Sequence, residues 1–528
     1  MMELAAACTP LVLLIFLMGK KNSMASSRAL PLCAMLAYLL ALAVFDRDAN
    51  AVNATVVSGL LMALTPLSIV AGAIFMFRTM EVTGALTTIR GALNGISHNP
   101  IAQLMIVGWA FAFLIEGASG FGTPAAIAAP VLVGLGFPAL RVATFCLIMN
   151  TIPVTFGAVG TPIWFGFSVL DLSPAALRDI AWQSALINAT AAPLVVVAGL
   201  AMVVRWREIV DNLVFILLAT FSCTLPYVAI SFYSVEFPSL IGGLVGLSLT
   251  LLLARRGVGL ARVAQPQAPA NAPGSGRALL KATFPLWGTV LILVVTRIPA
   301  LGLKPLLQLD TPALQLPLGQ LGELTVSAGL VVGLNEVFRT DIGWHHSILY
   351  VPALLPFVLV GLLTLGGFHR AGAARDVGRY TLVSIRAPFF ALMGALVFVN
   401  LMMLGDEASP VALIGYQLAR LSGEYWTVFA PLLGALGSFF SGSATISNLT
   451  FSAIQFSIAE QSGLSTSGTL ALQGVGAAMG NMICINNIVA VTAILGLQRQ
   501  DGVILKRTAL VMLLYAAVAG AMGLLMSA

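Results

Sequence analysis

Apolar stretches long enough to cross a lipid bilayer recur along the whole chain, and that recurrence limits the fold more than any other feature. They cover 4–18, 29–45, 54–77, 101–137, 142–168, 181–204, 211–230 and 238–254. After a break come 282–298, 323–338, 347–366, 380–404, 410–420, 425–458, 468–497 and 508–527. At about 20 residues per helical crossing, they predict an all-α polytopic membrane protein with about 12–14 transmembrane helices. Only 9% of the 528 residues are charged, against roughly 25% in a soluble domain. The first run follows Glu3 with no basic residue, so it reads as a retained span rather than a cleaved signal.

The net charge of +6 invites a nucleic-acid reading, but the basic residues stand at the ends of apolar runs. That placement orients a membrane protein. Arg255, Arg256, Arg262, Arg277 and Lys281 flank a Pro/Ala/Gly stretch, 265–276, near the chain's midpoint. We read 255–281 as a flexible cytoplasmic linker between an N-terminal membrane half, 1–254, and a C-terminal one, 282–528. Arg90 and Arg205 also belong to the basic side, so an even number of crossings must separate them. Three plain spans do not satisfy that, so one run between them crosses twice or re-enters on its own side. Trp182, Trp206 and Trp426, near run ends, read as interfacial anchors.

Within run 101–137 stands Glu116-Gly-Ala-Ser119-Gly120-Phe-Gly122-Thr123-Pro124. Glycine and proline interrupt a helix, and a carboxyl group at membrane depth faces a cavity or a partner rather than lipid. The second half carries Gly437-Ser-Phe-Phe-Ser441-Gly-Ser443-Ala-Thr445-Ile-Ser447-Asn448. Each break is followed 30 to 40 residues later by another: Asn150 to Pro153 continuing to Gly157–Pro162, and Gly480 to Asn487. Paired interruptions in two halves point to a transport site near the midplane, built from broken helices or re-entrant hairpins.

Broken helices offer positive ends and unused N–H groups to a small anion. The candidate substrate-binding residues are Ser119, Gly120, Gly122, Thr123, Asn150, Ser441, Ser443, Thr445, Ser447, Asn448, Asn481 and Asn486. Glu116, the acidic residue of its run, is the candidate for proton coupling. The competing reading of isolated small residues is close helix packing, and of the asparagines and Glu116, hydrogen-bonded support for the breaks. Two clusters together favour a binding site. Arg141 and Arg386 could meet a carboxylate, although arginines near span ends more commonly snorkel to the interface.

Enzyme chemistry has little to build on. His98, His345, His346 and His369 lack acidic or cysteine neighbours at metal-ligand spacing, and the five cysteines fall in apolar runs as buried free thiols. No nucleotide-binding motif appears. No cofactor, metal or nucleic-acid partner is expected.

The sequence 116–124 with Val133-Gly-Leu-Gly-Phe-Pro138 resembles the signature of the L-lactate permease family, as do 440–448 and 480–487. The resemblance implies proton symport of small 2-hydroxy monocarboxylates, L-lactate, D-lactate or glycolate, across a bacterial inner membrane. A sodium-coupled carrier of another small carboxylate is the alternative. It also implies two inverted repeats with re-entrant hairpins, an elevator-like motion and a homodimer. Two positions depart from the family pattern: Asn486, where histidine is frequent, and Ala444, where Asp or Asn is common.

Overall fold

The computed structural model describes residues 2–19, 24, 26–94, 97, 99–120, 123–261, 276–297, 301–351, 354–405, 408–497 and 500–527. Most of the basic linker, 262–275, lies outside the described residues, as do Gly122 and His98. The chain packs as two units, each drawn from both halves of the sequence: 1–87 with 277–417, and 88–276 with 418–528.

The first unit is helical at Met2–Gly19, Ser26–Ala43, Ala49–Met62, Leu64–Val82, Gly276–Arg297, Val360–Gly367, Ala374–Ser384 and Arg386–Met403. It also holds an antiparallel sheet in the order β1 (Ala313–Pro317), β2 (Glu323–Ser327), β3 (Val331–Asn335) and β4 (Trp344–Ser347). Run 323–338, expected to cross as a helix, is therefore a hairpin, with Thr325 opposite Gly333 and Val326 opposite Val332. Local chemistry explains the difference. Thr325, Val326, Val331 and Val332 favour strands, and Leu330 N–H and Val331 N–H bond back to the Ser327 carbonyl and hydroxyl to close the turn.

The second unit carries the breaks. Its principal helices, numbered within the unit, are α1 (Ala112–Ser119), α2 (Thr123–Gly134), α3 (Ala139–Met149), α4 (Gly157–Trp164), α5 (Pro174–Ala201), α6 (Leu213–Ser231) and α7 (Pro238–Arg256). After the first unit's insertion come α8 (Trp426–Ser441), α9 (Ala444–Ser462), α10 (Thr466–Gly480), α11 (Ile485–Ile494) and α12 (Asp501–Ser527). Among the described residues, Pro100–Ala118, α5, α6, α7 and Asp501–Met526 are long and apolar enough to cross a membrane. Ala139–Val154 and Gly157–Leu170 qualify as a pair bent by 57°.

The crossing-parity problem of the sequence falls on the stretch that holds α1 and α2. Asn99 starts the helical run by accepting from the N–H groups of Ile101 and Ala102, and the run continues through a π-helical stretch, Leu104–Phe111, into α1. α2 then packs against both α1 and that stretch, so α1 and α2 form a helical hairpin. The return arm has 12 residues, or about 18 Å, well short of a hydrocarbon core of about 30 Å. α8 and α9 pack together about Gly442 as the second hairpin.

Candidate functional site

The first hairpin tip forms where α1 ends. Gly120 adopts φ 61° and ψ −156°, a region essentially reserved for glycine, and its N–H bonds the Glu116 carbonyl at 3.0 Å. Against this tip lies the second break. Ala158, Val159 and Gly160 are consecutively left-handed at φ 44°, 57° and 72°, which costs about 1–2 kcal/mol per non-glycine residue. The Trp164 indole N–H steadies the turn through the Val159 carbonyl at 2.9 Å. At Gly157 a Cβ would stand 2.6 Å from Glu116 Oε1, so the absence of a side chain there makes room for the carboxyl group.

Glu116 is buried, and Asn150 Nδ2 donates to its Oε2 at 3.0 Å. Asn150 Oδ1 is buried with no hydrogen-bond partner among the described residues. An amide that turns its donor to Glu116 leaves its acceptor unsatisfied, so this corner of the protein holds a polar group still able to bond.

In the second hairpin, Gly442 ends α8 in the left-handed conformation and Ser443 caps α9, its hydroxyl accepting from Ile446 N–H at 3.3 Å. The first-turn N–H groups of Ala444 and Thr445 are directed out of the helix end, as anion sites at helix N-termini require.

These pieces meet. Glu116, Gly120, Gly157, Ser443, Thr445 and Asn481 line one cavity together with Val154, Ala158, Pro162, Gly442 and Ala444. Its volume of about 20 Å³ admits a water-sized group and is too small for a three-carbon acid in this conformation.

The other expected residues lie around it. Ser441 bonds the Gly437 and Ser443 carbonyls within its own tip. Asn487 donates to the Asn481 side chain and, at 3.1 Å, to its carbonyl. The backbone places Ser119 and Thr123 on either side of the first tip and Asn486 in the first turn of α11; their side chains lie outside the described part. Arg141 donates to the Val203 carbonyl.

Ser447 and Asn448 stand behind the cavity in a buried chain of amides that pattern reading did not find. Trp426 N–H donates to Gln455 Oε1 at 2.7 Å, and Gln455 Nε2 donates to Gln473 Oε1 at 2.9 Å. Gln473 Nε2 donates to Ser447 Oγ at 3.2 Å and Asn448 Oδ1 at 3.3 Å. Asn448 Nδ2 then donates to the Pro162 carbonyl at 2.8 Å. An indole can only donate and a carbonyl can only accept, so the chain runs one way and orients all three amides. It also corrects the reading of Trp426 as an interfacial anchor, because that ring is buried and its N–H is spent inside the protein. Single amides in apolar helices leave no periodic signal by which to find such a chain.

The model of the L-lactate permease family matches residues 3–528. A Haemophilus influenzae protein provisionally named an L-lactate permease is 45% identical over 98% of this chain and 97% of its own. The glycolate permease GlcA of Escherichia coli strain K12 is 26% identical over 93% of this chain and 90% of its own. The L-lactate permease of the same strain is 29% identical over 89% and 86%. Among solved structures, the Alcanivorax borkumensis YdaH transporter aligns with a TM-score of 0.43 and 17% identity, covering 88% of this chain and 86% of that one.

Proposed function

The chain belongs to the L-lactate permease family, and we propose that it imports small 2-hydroxy monocarboxylates, L-lactate, D-lactate or glycolate, together with protons. It is a transporter rather than an enzyme, a multi-pass protein of the inner membrane. The observation that carries the proposal is the single cavity on which Glu116, both hairpin tips and Asn481 converge.

The α9 N-terminus, with Ser443 and Thr445, suits a carboxylate. Asn481, and Asn150 beside Glu116, suit a hydroxyl or the second carboxylate oxygen. Glu116 supplies the coupling. An ionised carboxylate about 4 Å from a bound anion would be repelled by about 4 kcal/mol at an effective dielectric of 20. A proton on Glu116 removes that repulsion, so proton and anion bind better together than apart. Opening of the cavity to one side and then the other completes the cycle. The halves 1–254 and 282–528 would then be inverted repeats, each contributing one hairpin tip and one broken helix.

The test is uptake of labelled L-lactate into sodium-free proteoliposomes, with and without an inside-alkaline pH gradient. Accumulation that follows the gradient and collapses with an uncoupler is expected. Uptake that ignores the gradient and requires sodium would overturn the proton mechanism.

A further inference from the structure

A second, larger cavity of about 210 Å³ lies in the same unit, lined by α5, α10 and the far end of α12. We propose that it is an outer capture site for the transported short carboxylate. The ligand's identity rests on the proposed function; the existence of the site does not.

Its position follows from charge. Arg205 and Arg207 lie just beyond the end of α5, and Lys506 and Arg507 lie in the first turns of α12. The positive-inside rule puts those ends in the cytoplasm. Trp182 and Gln183, in the third turn of α5, and Gly523 and Met526, at the end of α12, therefore lie toward the opposite face, and they line the cavity. Gly468, in the first turn of α10, lines it too. Asn481 of the central cavity is 13 residues further along, about 20 Å at 1.5 Å per residue.

The chemistry suits an anion with a small apolar tail. The 15-residue α10 directs its N-terminus here, with Ser465 as cap accepting from Gly468 N–H at 3.1 Å. Gln183 is an independent sign of a ligand. It is only 8% exposed, its Oε1 lies 3.5 Å from where a Gly468 Cβ would stand, and it makes no hydrogen bond among the described residues. Its amide lines the cavity, where a bound carboxylate or hydroxyl could accept from its NH2 group. Thr469 adds a hydroxyl, and Leu472 and Ile187 form the apolar wall. Asp179, one turn before Gln183, is engaged by the Trp182 indole N–H at 2.7 Å.

A capture site facing one side of the membrane predicts a one-sided kinetic effect. Gln183→Leu should raise the KM for L-lactate about fivefold in right-side-out vesicles, the equivalent of one lost hydrogen bond, with kcat within about twofold. In inside-out vesicles its KM should equal that of the wild type. Gln183→Glu, which sets a negative charge beside the ligand, should raise the outer KM further. An outer KM unchanged in both variants, or KM values shifted equally in the two orientations, would overturn the proposal. Tryptophan fluorescence of the purified protein supplies a readout independent of transport. Titration with L-lactate should give a saturable change that is missing from Trp182→Phe and shifted to about fivefold higher lactate in Gln183→Leu, and its absence from the wild type would sink the outer site. A wild type that transports neither lactate nor glycolate but shows this signal would lose the proposed function and keep the outer site.

Discussion

The two hairpin tips do the same architectural job with different physics. Both interrupt an apolar run with glycine and hydroxyl residues, and both reach the same cavity. The second tip is cheap: a left-handed glycine, Gly442, closes one helix and a serine cap, Ser443, opens the next. The first tip is costly. It carries a buried carboxyl group and leans on a turn in which Ala158 and Val159 hold left-handed angles. Strain of this kind persists only where the surroundings impose it. The difference separates the roles, with the second hairpin offering a neutral anion cradle and the first holding the group whose charge can change.

The largest effect that would test this division is at Glu116. Glu116→Gln should abolish accumulation of lactate against a gradient while leaving exchange of labelled for unlabelled lactate intact. Full uphill uptake by the variant would remove the distinction between the tips. The next effect is on folding. Gly160→Ala would put a Cβ 2.0 Å from the Val235 carbonyl at φ 72°, and should cost more than about 3 kcal/mol. Gly442→Ala, at a standard helix end, should cost only about 1 kcal/mol. Thermal denaturation in detergent compares the two, and equal losses would contradict the contrast in strain.

A smaller effect probes what holds the second hairpin in register. Gln455→Leu and Gln473→Leu each leave buried groups of the amide chain unpaired and should each cost about 2–3 kcal/mol. Because both break one chain, the double variant should be more stable than the sum predicts by about 1 kcal/mol. Strict additivity in denaturation midpoints would mean that the amides act separately and do not align α9 with Pro162.

The break positions were legible because glycine, proline, hydroxyl and carboxyl groups are conspicuous inside apolar runs, and nothing but irregular backbone or a lined cavity accommodates them. Glu116, Gly120, Ser443, Thr445 and Asn481 were found in that way and line the cavity. Ser447 and Asn448 were found by the same signal, yet the structure gives them bonds to Gln473 and Pro162 behind it. Hydropathy cannot tell a membrane helix from a strand pair of equal greasiness, so β2 and β3 were read as a span. Gln183, Gln455 and Gln473 were invisible because a lone amide has no pattern.

By itself the sequence determined the membrane class, the places where helices must stop, the family and the residues able to meet an anion, because those follow from composition and local backbone chemistry. Only the tertiary structure decided which breaks are hairpin tips, that four of them converge on one cavity, and which polar side chains line it. Those outcomes depend on contacts between residues as far apart as Pro162 and Asn448, whose pairing no local preference encodes.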